Sequence, residues 1–170
     1  MDKVEVLKQT DLFYNLSLEQ LQLVAGLAQE RRAKKGELIY EEGSDSREVY
    51  VLISGSLEVS HKHPHRNAPS SDEAEQVVLA TLSRGQSCGE ISFVDQARRE
   101  ATVRSLSDDT VMLVINPEAL MAQCEANPAM GFFIIRNLAK DLAFIIRELD
   151  SHILGSIFWN SSLSGMHSQT

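Results

Sequence analysis

Residues 88–103, CGEISFVDQARREATV, hold the side chains whose types and spacing best support chemistry. The pair Gly89–Glu90 follows Cys88. A short apolar run, Ile91–Ser92–Phe93–Val94, comes next. Arg98 and Arg99 then precede Glu100–Ala101–Thr102–Val103. The run is too short for a core helix, and Ala101 and Val103 alternate with Thr102 and Arg104 as in a strand. The pattern predicts a turn, a single turn of helix, a loop, and a strand led in by an arginine. A first helical turn leaves backbone N–H groups unpaired, and its dipole favours an anion. Gly89 lets a ligand approach the backbone. Arg99 adds a forked, charged donor suited to phosphate. Glu90 is an acceptor beside these donors and suits a ligand hydroxyl. A phosphate end next to a hydroxyl end describes a sugar phosphate or a nucleotide.

The same stretch resembles the phosphate-binding cassette of the cyclic-nucleotide-binding domain family. That domain is the effector module of catabolite-activator-like (Crp/Fnr-like) regulators, kinase regulatory subunits and gated channels. The family pattern runs Gly-Glu-(apolar)-(small)-(apolar), a spacer, then Arg-(small)-Ala-Thr/Ser-Val. Gly89, Glu90, Ile91, Ser92, Phe93, Arg99, Ala101, Thr102 and Val103 fall on it without a gap. Gly43 and Gly55 match two structural glycines of the family's first strands, with Tyr50 and the alternating Val49, Val51 and Ile53 between them. The resemblance covers residues 12–149.

It implies a ligand, cyclic AMP or cyclic GMP, held by Gly89, Glu90, Ile91, Ser92, Arg99, Glu100, Ala101 and Thr102. Arg99 would pair with the cyclic phosphate, helped by the N–H groups of Ile91, Ser92 and Glu100. Glu90 would accept from the ribose hydroxyl. The C-terminal helix would close over the base, with Ile145 and Ile146 against it by the count from Asn127–Pro128. Glu100 departs from the family, which has Ala, Ser or Thr there. A carboxylate about 5 Å from the phosphate costs roughly 3 kcal/mol at an effective dielectric near 20, of the order of a hundredfold in affinity. Turned toward Arg98 it would leave the site; paired with Arg99 it would take the phosphate's place. Two functions follow from the resemblance. One is a regulatory module that binds a cyclic nucleotide monophosphate and relays it through the C-terminal helix. The alternative is a degenerate domain that dimerises or docks a protein without nucleotide.

The elements that must hold these residues follow from pattern. Residues 1–32 form the N-terminal helical segment, with residues 2–32 read as helix. Ser17 with Gln20 is a capping box, and Leu18, Leu21, Val24, Leu27 and Ala28 recur on one face. The basic run Arg31, Arg32, Lys34, Lys35 reads as a solvated edge strand protected by charge. Residues 33–116 read as a β-roll. Short runs rich in branched residues, several separated by glycines, with a helix at each end, predict a mostly β, double-stranded β-helix or jelly roll plus a long C-terminal helix. Residues 61–76, HKHPHRNAPSSDEAEQ, interrupt it as a loop. Its alternating His61, His63 and His65 are solvated and no metal site is expected, because Pro64 breaks the strand that would align them. Asn116–Pro117 starts a helix, and residues 117–159 form the lid and dimer helices. Along the last helix, Ile135, Leu138, Leu142, Ile145, Leu149 and His152 make one stripe, and Ile134, Phe144, Ile146 and Ile153 a second. One stripe serves to cover the roll; two imply that a second chain is met, as a homodimer. Residues 160–170 read as a disordered tail.

Composition narrows the class. The net charge of −8 disfavours nucleic acid and anionic membranes as partners. The longest apolar run, about six residues near 130–135, is far short of the roughly 20 that span a bilayer. No signal core is seen at the N-terminus. The two cysteines, Cys88 and Cys124, make no disulfide framework and are read as reduced packing thiols of a cytoplasmic protein. No nucleophile and base stand at an informative spacing, so no enzyme, catalytic residue or cofactor is expected. A DNA-binding helix-turn-helix domain is not expected after the long helix. The downstream protein is left unidentified.

Overall fold

The computed structural model describes the backbone of residues 2–63 and 75–165 and the side chains of residues 2–62 and 76–147. The chain begins with α1 (Lys3–Lys8), a 3-10 turn (Asp11–Phe13) and α2 (Leu18–Leu27). Eight strands follow: β1 (Ala28–Ala33), β2 (Leu38–Tyr40), β3 (Val49–Ser54), β4 (Leu57–His63), β5 (Glu75–Leu82), β6 (Ser87–Cys88), β7 (Thr102–Ser105) and β8 (Thr110–Ile115). Helix α3 (Glu90–Asp95) lies between β6 and β7, and α4 (Pro117–Ala126) and α5 (Pro128–Gly165) close the described chain. The strands make two antiparallel sheets in the orders β1-β8-β3-β6 and β2-β7-β4-β5. This is the expected jelly roll with flanking helices and a long C-terminal helix.

Helix ends fall where the capping signals stand. Ser17 accepts from the Gln20 N–H, and the Gln20 side chain accepts in return from the Ser17 N–H at 2.9 Å. Asn116 accepts from the Ala119 N–H at 2.8 Å, with Pro117 in the first turn of α4. The N-terminal segment differs from expectation. Its helix is broken at Thr10, which is extended, and at Asn15, which has a φ of 67°. It ends at Leu27, because residues 28–33 pair one by one with β8, from Ala28–Ile115 to Ala33–Thr110. Ladder pairing overrides the helical propensity of Ala, Gln, Glu and Arg there, so the roll begins at residue 28 instead of 33. Arg31 and Arg32 do lie on an edge strand, each 3.2 Å from a neighbouring carboxylate, Glu37 and Glu30.

Two further boundaries move. Strands β4 and β5 pair as far as His63–Glu75, so the expected loop over 61–76 loses its ends to the ladder. Its middle, with His65, lies outside the described residues, as does the side chain of His63. His61 Nδ1 sits 3.0 Å from Glu42 Oε2. Helix α5 continues through Trp159 to Gly165, so residues 160–165, expected to be disordered, are helical. Residues 166–170 lie outside the described residues. Among the described residues no helix is long and apolar enough to cross a membrane.

Strand β3 is buried on both faces and divides the interior in two. Val49, Val51 and Ile53 pack with Leu113, Ile115, Phe93 and the helices. Tyr50 and Leu52 face the inside of the roll with Tyr40, Leu57, Cys88, Val103 and Met112. The two-residue period of a strand produces this division. Helix α5 joins the first cluster through Met130, Ile134 and Leu138. Its buried Asn137 donates to the Leu12 and Tyr14 carbonyls at 3.1 and 2.8 Å, which ties α5 to the N-terminal segment.

Candidate functional site

The Gly-Glu pair begins α3 as the spacing predicts. Gly89 caps that helix with a φ of +83°, a conformation that suits glycine. A second reason for glycine is steric. A Cβ at this position would overlap Arg99 Nη1 and come within 2.6 Å of the Glu48 carbonyl oxygen. The close approach at Gly89 is therefore made by an arginine of the same chain. Phe93 anchors α3 in the core, and Ser92 is fully buried.

Arg99 turns inward. It is 2% exposed and lies inside the roll. Its Nε donates to Ser46 Oγ at 3.0 Å, Nη1 to the Gly89 carbonyl at 3.1 Å, and Nη2 to the Glu48 carbonyl at 2.7 Å. Nη2 also lies 3.6 Å from Glu48 Oε2. The guanidinium carbon sits 4.0 Å from the centre of the Tyr40 ring and 5.7 Å from that of Tyr50. The main chain of residue 99 completes the clamp, since its N–H donates to the Ser44 carbonyl and its carbonyl accepts from the Gly43 N–H. A buried cation needs such a set of partners. The expectation of a guanidinium open to a guest phosphate is thus corrected: carbonyls, a serine and two tyrosines already satisfy it. Tyr40, Tyr50, Ser46 and Glu48 were not foreseen in this role. The available signal was Tyr50, whose phase in β3 aims it inside the roll.

Glu100 takes neither a pairing with Arg98 nor one with Arg99. Arg98 pairs with Asp45 at 3.1 Å. Glu100 is exposed, and its Oε2 lies 3.4 Å from Ser92 Oγ, which donates to it. Glu90 keeps Oε2 buried with no hydrogen-bond partner among the described residues. Burial holds the Glu90 carboxyl above its ordinary range, and the negative charges of Glu100 and Asp141 add to this. Asp141 belongs to α5, where it lines a pocket with Asp11, Tyr14, Asn137 and Lys140. Ala101 and Thr102 are buried, and the Thr102 hydroxyl accepts from the Glu42 N–H at 3.1 Å. Ile91 is half-buried. Gly89 thus caps α3, Glu90, Ile91 and Ser92 form its first turn, and Arg99 and Glu100 meet it at the Gly89 carbonyl and the Ser92 hydroxyl. The two expected lid residues are not packed on the roll: Ile145 and Ile146 are 47% and 58% exposed on α5. Among the described residues no three His, Cys, Asp or Glu side chains group as metal ligands. Burial raises the Cys88 thiol to about 12, which makes it an inert packing group. A groove of about 290 Å³ against α4, lined by Arg47, Phe93, Gln96, Pro117 and Met121 among others, includes none of the expected ligand residues.

Residues 30–127 match the family model described as the cyclic nucleotide-binding domain. The chain belongs to the cyclic nucleotide-binding domain family. It is 27% identical over 144 residues to the cyclic AMP receptor protein of Thermus thermophilus, which covers 85% of this chain and 61% of that protein. It is 27% identical over 120 residues to cyclic GMP-binding protein C of Dictyostelium discoideum, covering 71% of this chain and 4% of that one. The chain thus spans less than two thirds of these relatives. The solved structure of the Thermus thermophilus catabolite activator protein superposes with a TM-score of 0.70 at 26% identity, over 85% of this chain and 62% of that one. As a family member the chain has the fold of a Crp-like regulatory domain.

Proposed function

We propose that the chain is a regulatory module that binds a cyclic-nucleotide-type ligand, base and ribose included, beside α3 and relays its presence through α5 to a downstream protein. The observation that carries this is the buried Glu90 oxygen that has no partner among the described residues. A buried acceptor left unmade is costly, and a ribose hydroxyl is the donor that would satisfy it. The relatives, a cyclic AMP receptor protein and a cyclic GMP-binding protein, point to cyclic AMP or cyclic GMP. Ligand binding to the native state raises stability by mass action. Cyclic AMP or cyclic GMP at millimolar concentration is expected to raise the melting temperature of the wild-type chain and to leave Glu90→Ala unmoved. A wild type that responds neither to the cyclic nucleotides nor to their nucleosides would reject the proposal.

Helix α5 supports a homodimer as the form of the module. Phe132, Ile135, Phe144, Ile145 and Ile146 are exposed along it, while Met130, Ile134 and Leu138 serve the core. A second copy of α5 is the partner proposed for this outer line. Sedimentation of the wild type at micromolar concentration should give a dimer, and the double substitution Ile145→Glu, Ile146→Glu a monomer. A monomeric wild type would sink the dimer. The alternative, a docking or dimerising module without nucleotide, is favoured by one observation, the internal engagement of every Arg99 nitrogen.

A further inference from the structure

The side chains grouped at the start of α3 have the wrong sign for a phosphate. The Arg99 guanidinium is enclosed and its three nitrogens already donate to Ser46, Gly89 and Glu48. Pulling it outward would strip the Gly89 and Glu48 carbonyls of their donors and the Tyr40 ring of its cation. Arg98, its neighbour, is exposed and paired with Asp45. In place of a cation there is Glu100, whose carboxylate receives the Ser92 hydroxyl at 3.4 Å. The chain therefore supplies an anion of its own to the first turn of α3. Behind it Glu90 holds a buried oxygen with no partner among the described residues. Apart from the Ser92 hydroxyl, which Glu100 already takes, Glu90 and Glu100 are acceptors that call for hydrogen-bond donors on an uncharged guest.

We infer that Glu100 stands in for the phosphate, and that the preferred ligand is the uncharged nucleoside over its cyclic phosphate. This rests on the reading above that the chain takes a nucleotide-type ligand beside α3. A nucleoside brings ribose hydroxyls as donors to Glu90 and no charge to oppose Glu100. Its cyclic phosphate brings the same sugar together with an anion that Glu100 repels. Glu100 is then the residue that sets specificity, and phosphate recognition is what it removes.

The test titrates adenosine, guanosine, cyclic AMP and cyclic GMP into the wild-type chain, Glu100→Gln and Glu100→Ala, by calorimetry. Glu100 is exposed, so both variants should keep the fold. In the wild type the nucleoside is expected to bind more tightly than its own cyclic phosphate. In both variants the cyclic phosphate should gain about a hundredfold, from the loss of one like charge at short range, while the nucleoside changes little. A wild type that prefers the cyclic phosphate tenfold or more, with no gain in either variant, would overturn the inference and leave the ligand-binding reading standing. No binding of any of the four compounds to any of the three chains would overturn both.

Discussion

Replacing Arg99 by alanine is expected to lower the stability of the ligand-free protein by about 3 kcal/mol or more. Two carbonyls lose their donor, those of Gly89 and Glu48, at about 1–3 kcal/mol each when left unsatisfied. Glu48 also loses the cation 3.6 Å from its carboxylate, and the Tyr40 ring loses the charge over its face. For a chain of this size each 1 kcal/mol moves the melting midpoint by about 2–4 °C, so a fall of roughly 6–12 °C should appear without nucleotide. Arg99→Lys should recover part of it, because an ammonium keeps the charge but cannot fork to both carbonyls. An arginine held ready for a guest would behave in the opposite way: removing an exposed, unpaired cation from an empty site would cost almost nothing. A melting temperature unchanged in Arg99→Ala would therefore refute the inward guanidinium. The same expectation sets a condition on ligand studies. Loss of binding in Arg99→Ala does not identify a phosphate contact unless the variant is shown to be folded at the temperature of the titration.

The inward turn of Arg99 is also where sequence reasoning reached its limit. Part of the motif is brought together: Gly89 caps α3, Arg99 meets the Gly89 carbonyl, and Glu100 meets Ser92. Their proximity follows from a turn, a short apolar run and a strand, which local pattern encodes. The direction of one long side chain does not. It depends on partners at 40, 46, 48 and 50, which sit some 50 residues away and meet position 99 only when the two sheets close. Capping worked for a related reason. Ser17 with Gln20, and Asn116 with Ala119, are contacts over three residues. The segment AQERRA failed because its fate depends on β8, more than 75 residues further on, whose free edge it pairs. Along α5 the pattern gave two apolar lines, but the core selects Met130, Ile134 and Leu138. Ile135, Phe144, Ile145 and Ile146 stay outside. Which line lies inward is fixed in part by Asn137 and its bonds to Leu12 and Tyr14.

Gly89→Ala should be comparably severe, and its cause can be separated from that of Arg99→Ala. The backbone at 89 has a φ of +83°, and a non-glycine residue in the left-handed region costs about 1–2 kcal/mol. The new methyl would also overlap Arg99 Nη1 and approach the Glu48 carbonyl oxygen to 2.6 Å. The guanidinium can yield only by giving up its bonds, and the carbonyl belongs to the chain entering β3. A melting midpoint lowered by more than about 5 °C is expected from more than roughly 2 kcal/mol. The double variant Gly89→Ala, Arg99→Ala then gives the decisive comparison. With the guanidinium gone, one of the two obstacles to the methyl is gone, so the double loss should fall short of the sum of the single losses. Contacting residues typically couple by about 0.5–3 kcal/mol. The coupling should be incomplete, because the positive φ and the Glu48 carbonyl persist when Arg99 is removed. Strict additivity in denaturant melts would mean that Gly89 and the guanidinium do not touch. The glycine would then serve only the backbone turn into α3, leaving the space above it to a ligand.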